Sequence, residues 1–184
     1  MPYNMHIMCG QFHINYTDVD KLNHIHILHY PVKEEIRPTE FSLVVYGENE
    51  IKIGDLFQFG IQSKYLFINI KSETIQSKFS QWILKNRCII PVSHYYEWDS
   101  CKSKVTFSSN TLLYLAGVYH NKQFAILTTK ANESVRKIHD RMPLILEEDE
   151  IEDWLWNTEK AIQLLNKTPK ELLKNCQFEQ LSLF

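Results

Sequence analysis

The chain has 184 residues, of which 44% are hydrophobic and 12% aromatic, and its formal net charge is −2. A chain of this size and composition can bury one substantial core, so we expect a single domain over residues 1–184. No apolar run approaches the roughly 18 residues that a membrane span requires, and the first residues lack the basic and apolar stretches of a signal peptide. These features exclude a membrane-spanning protein and favour a cytoplasmic one.

The charge is unevenly distributed along the chain. Residues 60–141 carry 12 Lys and Arg against 5 Asp and Glu, a net charge of +7, and the remaining residues carry −9. Because electrostatic attraction depends on local rather than total charge, a basic centre of this kind fits a phosphate backbone. A solvated protein surface is the alternative interpretation, and the charge alone leaves both open.

The elements predicted in chain order are those of an α+β domain. A short helix over Thr17–Leu22 is followed by a helix over Ser77–Asn86, and strands are predicted at Phe41–Tyr46, Ile51–Phe59, Tyr65–Lys71, Arg87–Trp98, Lys104–Phe107, Leu112–His120 and Gln123–Thr129. The last two strands form a hairpin that turns near Asn121–Lys122. After Pro143 the chain becomes helical and acidic, and Thr168–Glu171 has the pattern of a capping box. Strands this closely spaced leave no room for helical crossovers, so we expect a largely antiparallel, barrel-like sheet flanked by short helices.

Neither the cysteines nor the histidines predict a metal site. The four cysteines (Cys9, Cys88, Cys101 and Cys176) show no CxxC spacing, which argues against a disulfide framework or a zinc site. The cluster His24, His26 and His29 matches no established ligand spacing and lacks an accompanying Cys or carboxylate pattern. We therefore expect no metal and no cofactor.

The tripeptide Met8-Cys9-Gly10 lies close to the start of the chain. If residues 1–7 are an extension and Met8 is the true initiator and is removed, Cys9 becomes the terminal residue, with an α-amine and a thiol on adjacent carbons. Together these two nucleophiles trap an aldehyde as a five-membered thiazolidine. If residues 1–7 remain, the nitrogen of Cys9 is an unreactive amide. We expect the active species to begin at Cys9.

The alternation of side chains along a strand predicts which polar residues share a face. Asn69 and Lys71 share a face of the strand YLFINIK, where an amide beside an ammonium could hold a sugar oxygen and a phosphate. The alternative is an Asn bonded to backbone beside an exposed Lys. In RCIIPVSHYYEW, Tyr95 and Glu97 share a face, and Pro91 should mark an edge or a bulge.

Two titratable residues are candidates for proton transfer. Glu97, surrounded by aromatic residues, could have a raised pKa and act as a general acid, although a salt-bridged surface Glu is the alternative. His139 lies in KIHDRMP, before the stop that Pro143 imposes, and a loop histidine of this kind can move protons near neutral pH.

Taken together, six segments resemble the SOS-response-associated peptidase family. They are MCGQF at 8–12, FINIKSET at 67–74, RCIIPVSHYYEW at 87–98, LAGVY at 115–119, ILTTKAN at 126–132 and HDRMPLIL at 139–146. The resemblance implies a DNA damage response protein that senses abasic sites in single-stranded DNA and captures the ring-opened deoxyribose as a thiazolidine crosslink. It implies Cys9 as the nucleophile, Asn69 and Glu97 in the pocket, and His139 as acid and base. Weak lyase activity and self-cleavage before Cys9 are further expectations.

Three positions depart from the family pattern. Gln11 stands where the family has an arginine, Lys71 stands where it has a second arginine, and Phe59-Gly60 stands where it has Trp-Gly. Lys71 keeps the charge but loses bidentate geometry, and Phe59 offers a smaller stacking surface. The DNA contacts expected from the resemblance and the charge are Gln11, Phe59, Lys71, Arg87, Trp98 and Arg141.

These residues imply a monomer whose partner is single-stranded DNA containing abasic sites, with no membrane partner and with nucleoid association when bound to DNA. Two rival interpretations stay open. One is a cysteine peptidase that uses Cys9 and His139, with Asn69 or Glu97 as the orienting residue. The other is a single-stranded DNA-binding module that does not crosslink.

Overall fold

The computed structural model describes residues 9–19, 22, 24–30, 32–78, 82 and 85–176. The strands in this part of the chain are β1 (Gln11–His13), β2 (Ile25–Ile27), β3 (Glu35–Ile36), β4 (Phe41–Glu48), β5 (Ile51–Phe59), β6 (Ile61–Gln62), β7 (Leu66–Phe67), β8 (Asn69–Lys71), β9 (Arg87–Trp98), β10 (Lys104–His120), β11 (Gln123–Lys130), β12 (Arg141–Pro143), β13 (Ile145–Leu146) and β14 (Leu173–Cys176). The helices are α1 (Tyr16–Val19), α2 (Ser72–Lys78), α3 (Ile151–Trp156) and α4 (Thr158–Leu164), with a 3₁₀ turn at Glu148–Glu150. No helix among these residues is long and apolar enough to cross a bilayer.

Five strands pair side by side in a closed circuit. Their order is β10, β11, β5, β4 and β9, and β9 returns to pair with β10. The contacts of β5 with β11 and of β4 with β9 each join only two residue pairs, so the circuit is a ring of strands rather than a true barrel. Most pairings are antiparallel, with parallel exceptions at β2–β5, β5–β11 and β8–β11. The α+β class with a largely antiparallel sheet is therefore confirmed.

Alternation along β9 divides the core in two. Cys88 and Ile90 point into the cluster inside the ring, whereas Ile89 belongs to the cluster covered by α3 and α4. Trp154 of α3 is fully buried against this outer face, and its indole N–H donates to the carbonyl of Cys88 at 2.9 Å. The helices therefore cover the face of the sheet to which Ile89 belongs.

Pro91 lies at a change in the pairing of β9. On one side of it, Cys88 and Ile89 pair with β4, and on the other side residues 94–96 pair with β1. The partner strand β10 shifts register nearby, between Ser108 and Leu113. This is the interruption that a residue without an N–H donor predicts. The short strand β1 is thereby held against the end of β9 that carries Glu97.

Several predicted elements need revised bounds. The strands expected at Lys104–Phe107 and Leu112–His120 form one continuous strand, β10, and the predicted Tyr65–Lys71 strand is divided at Ile68 into β7 and β8. The hairpin turn at Asn121–Lys122 is confirmed, and both residues have positive φ (48° and 55°), as a type I′ turn requires. The first helix begins at Tyr16, and parts of the predicted Thr17–Leu22 and Ser77–Asn86 helices lie outside the described residues.

The helix start predicted at Thr168–Glu171 is wrong. The side-chain amide of Asn132 donates to the carbonyls of Pro169 and Lys170, and Ser134 Oγ accepts from the N–H of Leu172. These bonds hold the segment irregular, and the chain then pairs with β10 as β14. Strand pairing has overridden a local helix signal. A capping box does form earlier, between Glu147 and Glu150.

Candidate active site

Cys9 and Glu97 are in direct contact at the end of β9. Gln11 of β1 pairs with Tyr96 of β9, and this pairing brings Cys9, two residues before Gln11, alongside the end of β9. The backbone N–H of Cys9 donates to Oε1 of Glu97 at 2.7 Å. Both side chains are buried, with 0% and 2% of their surface exposed. Cys9 also has a φ of 43°, in the left-handed region that costs a non-glycine residue about 1 kcal/mol or more.

Burial controls the protonation of this pair. It raises the pKa of Glu97 to about 8, and the N–H of Cys9 offsets part of that rise. Burial and then the negative charge of Glu97 hold the pKa of the Cys9 thiol well above its ordinary value. Near neutral pH the site therefore holds a neutral thiol beside a carboxyl group that can both give and take a proton.

A third buried group, Tyr95, belongs to the same site. It lies two residues before Glu97 on the same face of β9 and in the same core cluster as Cys9. Burial and then the charges of Cys9 and Glu97 raise the pKa of its phenol well above the ordinary value. Its hydroxyl has no hydrogen-bond partner among the described residues. The alternation in HYYEW predicts that Tyr95 and Glu97 share a face, but no sequence pattern indicates an unpaired hydroxyl.

Asn69 and His139 lie on segments that border the same core cluster. Asn69 pairs with Ile126 across β8 and β11, and the residue before it, Ile68, packs in the cluster that contains Cys9. His139 is held by the bond from the backbone N–H of Arg141 to its Nδ1 at 3.0 Å, which leaves Nε2 to carry the proton of the neutral ring. Nδ1 also lies 3.0 Å from Oδ1 of Asp140, to which it can donate when the ring is protonated.

A basic pocket of about 650 Å³ opens beside these segments. Its lining consists of Lys71, Lys130, Ala131, Arg136, Lys137, Asp140 and Arg141. Five of these side chains are cationic and one is acidic, so the pocket favours anions such as phosphate groups. Lys71 and Arg141 were expected from the sequence. Lys130, Arg136 and Lys137 add to them, and all three lie in the basic run KANESVRKIHDR at residues 130–141.

Arg141 is anchored rather than free within this pocket. Its guanidinium makes a two-pronged contact with the carboxylate of Glu73, with Nη2 2.8 Å from Oε2, and it also donates to the carbonyl of Thr128. This contact is the main cause of a lowered pKa for Glu73. Strand β11 carries Thr128 between β8 and β12, so it holds Lys71 and Arg141 on either side of itself.

Three of the predicted DNA contacts have buried side chains, which the structure uses in packing and in hydrogen bonds within the protein. Phe59 is fully buried between Phe12 and Phe124, so it offers no stacking surface. Gln11 is also buried, and its amide donates to Glu35.

Arg87 is the third of these residues. It is buried against α3, where its guanidinium donates to the carbonyls of Trp154 and Leu155. Trp98, by contrast, is 42% exposed, and Lys71 is exposed, so both remain accessible.

No cluster of three His, Cys, Asp or Glu side chains in the described part of the chain is arranged to hold a metal ion. His29, which belongs to the histidine cluster noted in the sequence, is instead paired with the buried carboxylate of Asp55 at 2.7 Å. Cys88 is buried, Cys101 is exposed and Cys176 is half-buried, and all three are free thiols.

Comparison with known sequences identifies the family of this chain. The profile of the SOS response associated peptidase (SRAP) family matches residues 8–182, so the chain belongs to this family. Abasic site processing protein YoqW of Bacillus subtilis is 29% identical over 163 residues, which is 79% of this chain and 68% of YoqW. YoaM of the same organism is 29% identical over 163 residues, which is 79% of this chain and 67% of YoaM. An abasic site processing protein of Saccharomyces cerevisiae is 28% identical over 55% of this chain and 33% of its own length.

Solved structures share the fold. A Bordetella bronchiseptica protein superposes with a TM-score of 0.78 at 20% identity, covering 92% of this chain and all of that one. A Bacteroides thetaiotaomicron protein superposes with the same TM-score at 17% identity and covers 93% of each chain.

Proposed function

We propose that this protein processes abasic sites in single-stranded DNA by forming a covalent thiazolidine between Cys9 and the ring-opened deoxyribose. Membership of the SRAP family and the names of the Bacillus relatives support the substrate class. The observation that carries the chemistry is the 2.7 Å contact between the nitrogen of Cys9 and the carboxyl group of Glu97. In a chain that begins at Cys9, this nitrogen is the α-amine.

The reaction needs two bonds to one carbon atom. The amine attacks the aldehyde carbon, the resulting carbinolamine loses its oxygen as water, and the thiol then adds to the imine. The thiol proton ends on the nitrogen, so the balance of the reaction is one aldehyde and one aminothiol giving one thiazolidine and one water. Without the last step, the imine would promote β-elimination and strand cleavage, which gives the weak lyase activity expected from the sequence.

Glu97 fits the proton transfers of this sequence. An α-amino group has an ordinary pKa of about 8, so most of it is protonated near neutral pH, and a nearby base increases the fraction that can attack. A carboxyl group in hydrogen-bond contact with the nitrogen can accept that proton and return it to the leaving oxygen. We assign His139 to proton transfer at the sugar hydroxyls and Asn69 to holding the sugar, since both lie on segments bordering the core cluster that contains Cys9.

The basic pocket supports a DNA backbone as the ligand. Lys71, Lys130 and Lys137 supply point charges that attract phosphates without reading the sequence. Arg141 is fixed by Glu73, so it is preorganised but partly neutralised. Trp98, which directly follows Glu97 and is exposed, is the stacking surface that we assign in place of Phe59.

The state of Cys9 disfavours the cysteine peptidase interpretation. A thiol peptidase needs a thiolate stabilised by a neighbouring cation, whereas burial and Glu97 raise the pKa of Cys9. A binding module without chemistry would not require a buried thiol beside a buried carboxyl group. Crosslinking accounts for both groups.

Denaturing electrophoresis tests the proposal directly. A chain expressed from Met8 is mixed with single-stranded DNA that carries one abasic site, and the same sequence without the lesion is the control. We expect a heat-stable, stoichiometric adduct with the abasic strand alone. Glu97→Gln should slow its formation about 100-fold while leaving the affinity for intact DNA nearly unchanged. Binding without any covalent product would support the non-crosslinking alternative.

A further inference from the structure

We infer that the hydroxyl of Tyr95 contacts the substrate and donates a hydrogen bond to the oxygen on the carbon that Cys9 attacks. This inference rests on the proposed function and adds a residue to its site. It starts from an anomaly: a fully buried tyrosine whose hydroxyl has no partner among the described residues. A buried hydroxyl without a hydrogen bond costs about 1–3 kcal/mol, and such groups are rare in folded proteins.

The position of Tyr95 argues for a ligand rather than for a packing defect. Its ring is well packed, stacked on Phe107 with centroids 5.3 Å apart. It shares a face of β9 with Glu97 and a core cluster with Cys9. The residue with the unpaired hydroxyl is therefore the neighbour of Glu97 on one face of β9, and it packs in the same cluster as Cys9.

The chemistry of the hydroxyl identifies the atom that it contacts. With its pKa held well above the ordinary value by burial and by the charges of Cys9 and Glu97, the phenol keeps its proton at any working pH and acts as a donor. The aldehyde oxygen is an acceptor that gains negative charge when the amine attacks. A fixed donor aimed at that oxygen stabilises the transition state more than the ground state.

The isosteric variant Tyr95→Phe tests the inference, because it removes the hydroxyl and keeps the ring. We expect adduct formation with abasic single-stranded DNA to slow at least about tenfold, and the affinity for intact DNA to stay the same. The free energy of unfolding should stay equal or rise, since an unpaired polar atom leaves the core. The matched control is Tyr96→Phe, whose hydroxyl is already bonded to His94 and faces the other side of β9.

Propanal serves as a second probe because it has an aldehyde oxygen but no sugar hydroxyl. Tyr95→Phe should slow thiazolidine formation with propanal by a similar factor. An unchanged rate with both substrates would overturn the inference and leave the proposed function standing. Slowing with abasic DNA alone would overturn the assignment to the aldehyde oxygen. If the unmutated protein forms no adduct with either substrate, the proposed function fails and this inference fails with it.

Discussion

Oε1 of Glu97 lies 2.7 Å from the backbone nitrogen of Cys9, and this contact has different electrostatic consequences in two forms of the chain. When residues precede Cys9, the nitrogen is a neutral amide, and burial raises the pKa of Glu97 to about 8. When the chain begins at Cys9, the same nitrogen can carry a positive charge. An opposite charge at hydrogen-bond distance favours the carboxylate, so processing should lower the pKa of Glu97.

The first prediction concerns stability and pH in the chain that retains the preceding residues. The pKa of Glu97 rises from 4.5 to about 8 on folding, so between these values the folded state holds a proton that the unfolded state has lost. The free energy of unfolding should therefore fall as pH rises through this range, by up to about 1.4 kcal/mol per pH unit. Glu97→Gln should flatten this dependence in urea unfolding measured between about pH 5 and pH 8.

Glu133→Gln is the control for this measurement, because Glu133 is an exposed carboxylate paired with Arg136. It should leave the slope unchanged. The chain that begins at Cys9 should show a smaller slope than the longer chain. Identical slopes for the unmutated protein and Glu97→Gln would contradict the raised pKa.

The second prediction separates the thiol from the amine. In a chain that begins at residue 9, Cys9→Ala keeps the terminal amine and removes the sulfur, so an imine can form but no ring can close. The heat-stable adduct should disappear, while a product trapped by borohydride reduction persists. Cys101→Ala is the matched control, because Cys101 is an exposed free thiol outside the site. A stable adduct of undiminished yield in Cys9→Ala would rule out the thiazolidine.

The third prediction concerns the basic pocket. Lys71→Gln and Lys137→Gln should each weaken binding to intact single-stranded DNA and reduce the slope of log affinity against log salt by about 0.7. Fluorescence anisotropy over a series of salt concentrations measures both quantities. Lys160→Gln is the control, because Lys160 lies on α4 and is paired with Asp153. Equal effects of the three substitutions would show that binding depends on total charge and not on this pocket.

The fourth prediction assigns Arg87 to stability. Its guanidinium bonds two carbonyls of α3, and charged hydrogen bonds of this kind contribute about 1.5–3 kcal/mol each. Arg87→Gln should lower the free energy of unfolding by about 2–4 kcal/mol and leave the DNA affinity of the folded protein unchanged. Arg136→Gln should lower the DNA affinity and leave the free energy of unfolding nearly unchanged, since Arg136 is exposed and lines the pocket. If Arg87→Gln lowered the DNA affinity and left the free energy of unfolding unchanged, Arg87 would be a DNA contact and not a stabilising residue.

The sequence predicts best where one local pattern determines the outcome. The period of two along β9 is enough to place Tyr95 and Glu97 on one face, and Pro91 alone indicates the break in pairing. The turn at Asn121–Lys122 follows from residues that tolerate positive φ. Each of these predictions depends on neighbours in the chain, and each is found in the structure.

Partners that are distant in the sequence explain the surroundings that local patterns did not predict. Local sequence suggests that Arg87 is a surface cation. In the structure its guanidinium donates to a carbonyl of α3, from a residue 67 positions later in the chain. The sequence suggests that the ring of Phe59 is accessible for stacking, but in the structure it packs between Phe12 and Phe124. The residues from Thr168 match a helix start, but hydrogen bonds from Asn132 hold them irregular and the following residues pair with β10. Tertiary contacts decide each case, and no local pattern encodes them.

The last prediction concerns the start of the active chain. Cys9 has a φ of 43°, which is unfavourable for a residue with a side chain. A chain that begins at Cys9 has no φ at that residue, so removing the preceding residues releases this strain and frees the amine beside Glu97 in one step. We expect the active species to begin at Cys9, through initiation at Met8 or through cleavage after it. Intact-mass measurement of the protein recovered in the adduct identifies the terminus.

A chain locked in the longer form provides the comparison. If Met1 alone is removed, Pro2 becomes the terminus, and its secondary amine can form an iminium with the aldehyde but has no neighbouring thiol to close a ring. That form should give a reversible adduct and strand cleavage, whereas the chain expressed from Met8 should give a stable adduct. Because an amide nitrogen does not attack an aldehyde, the two forms should differ in the yield of stable product at every time point. If the chain retaining residues 2–7 forms the stable adduct as fast as the chain expressed from Met8, a free Cys9 amine is not required and the thiazolidine mechanism is wrong.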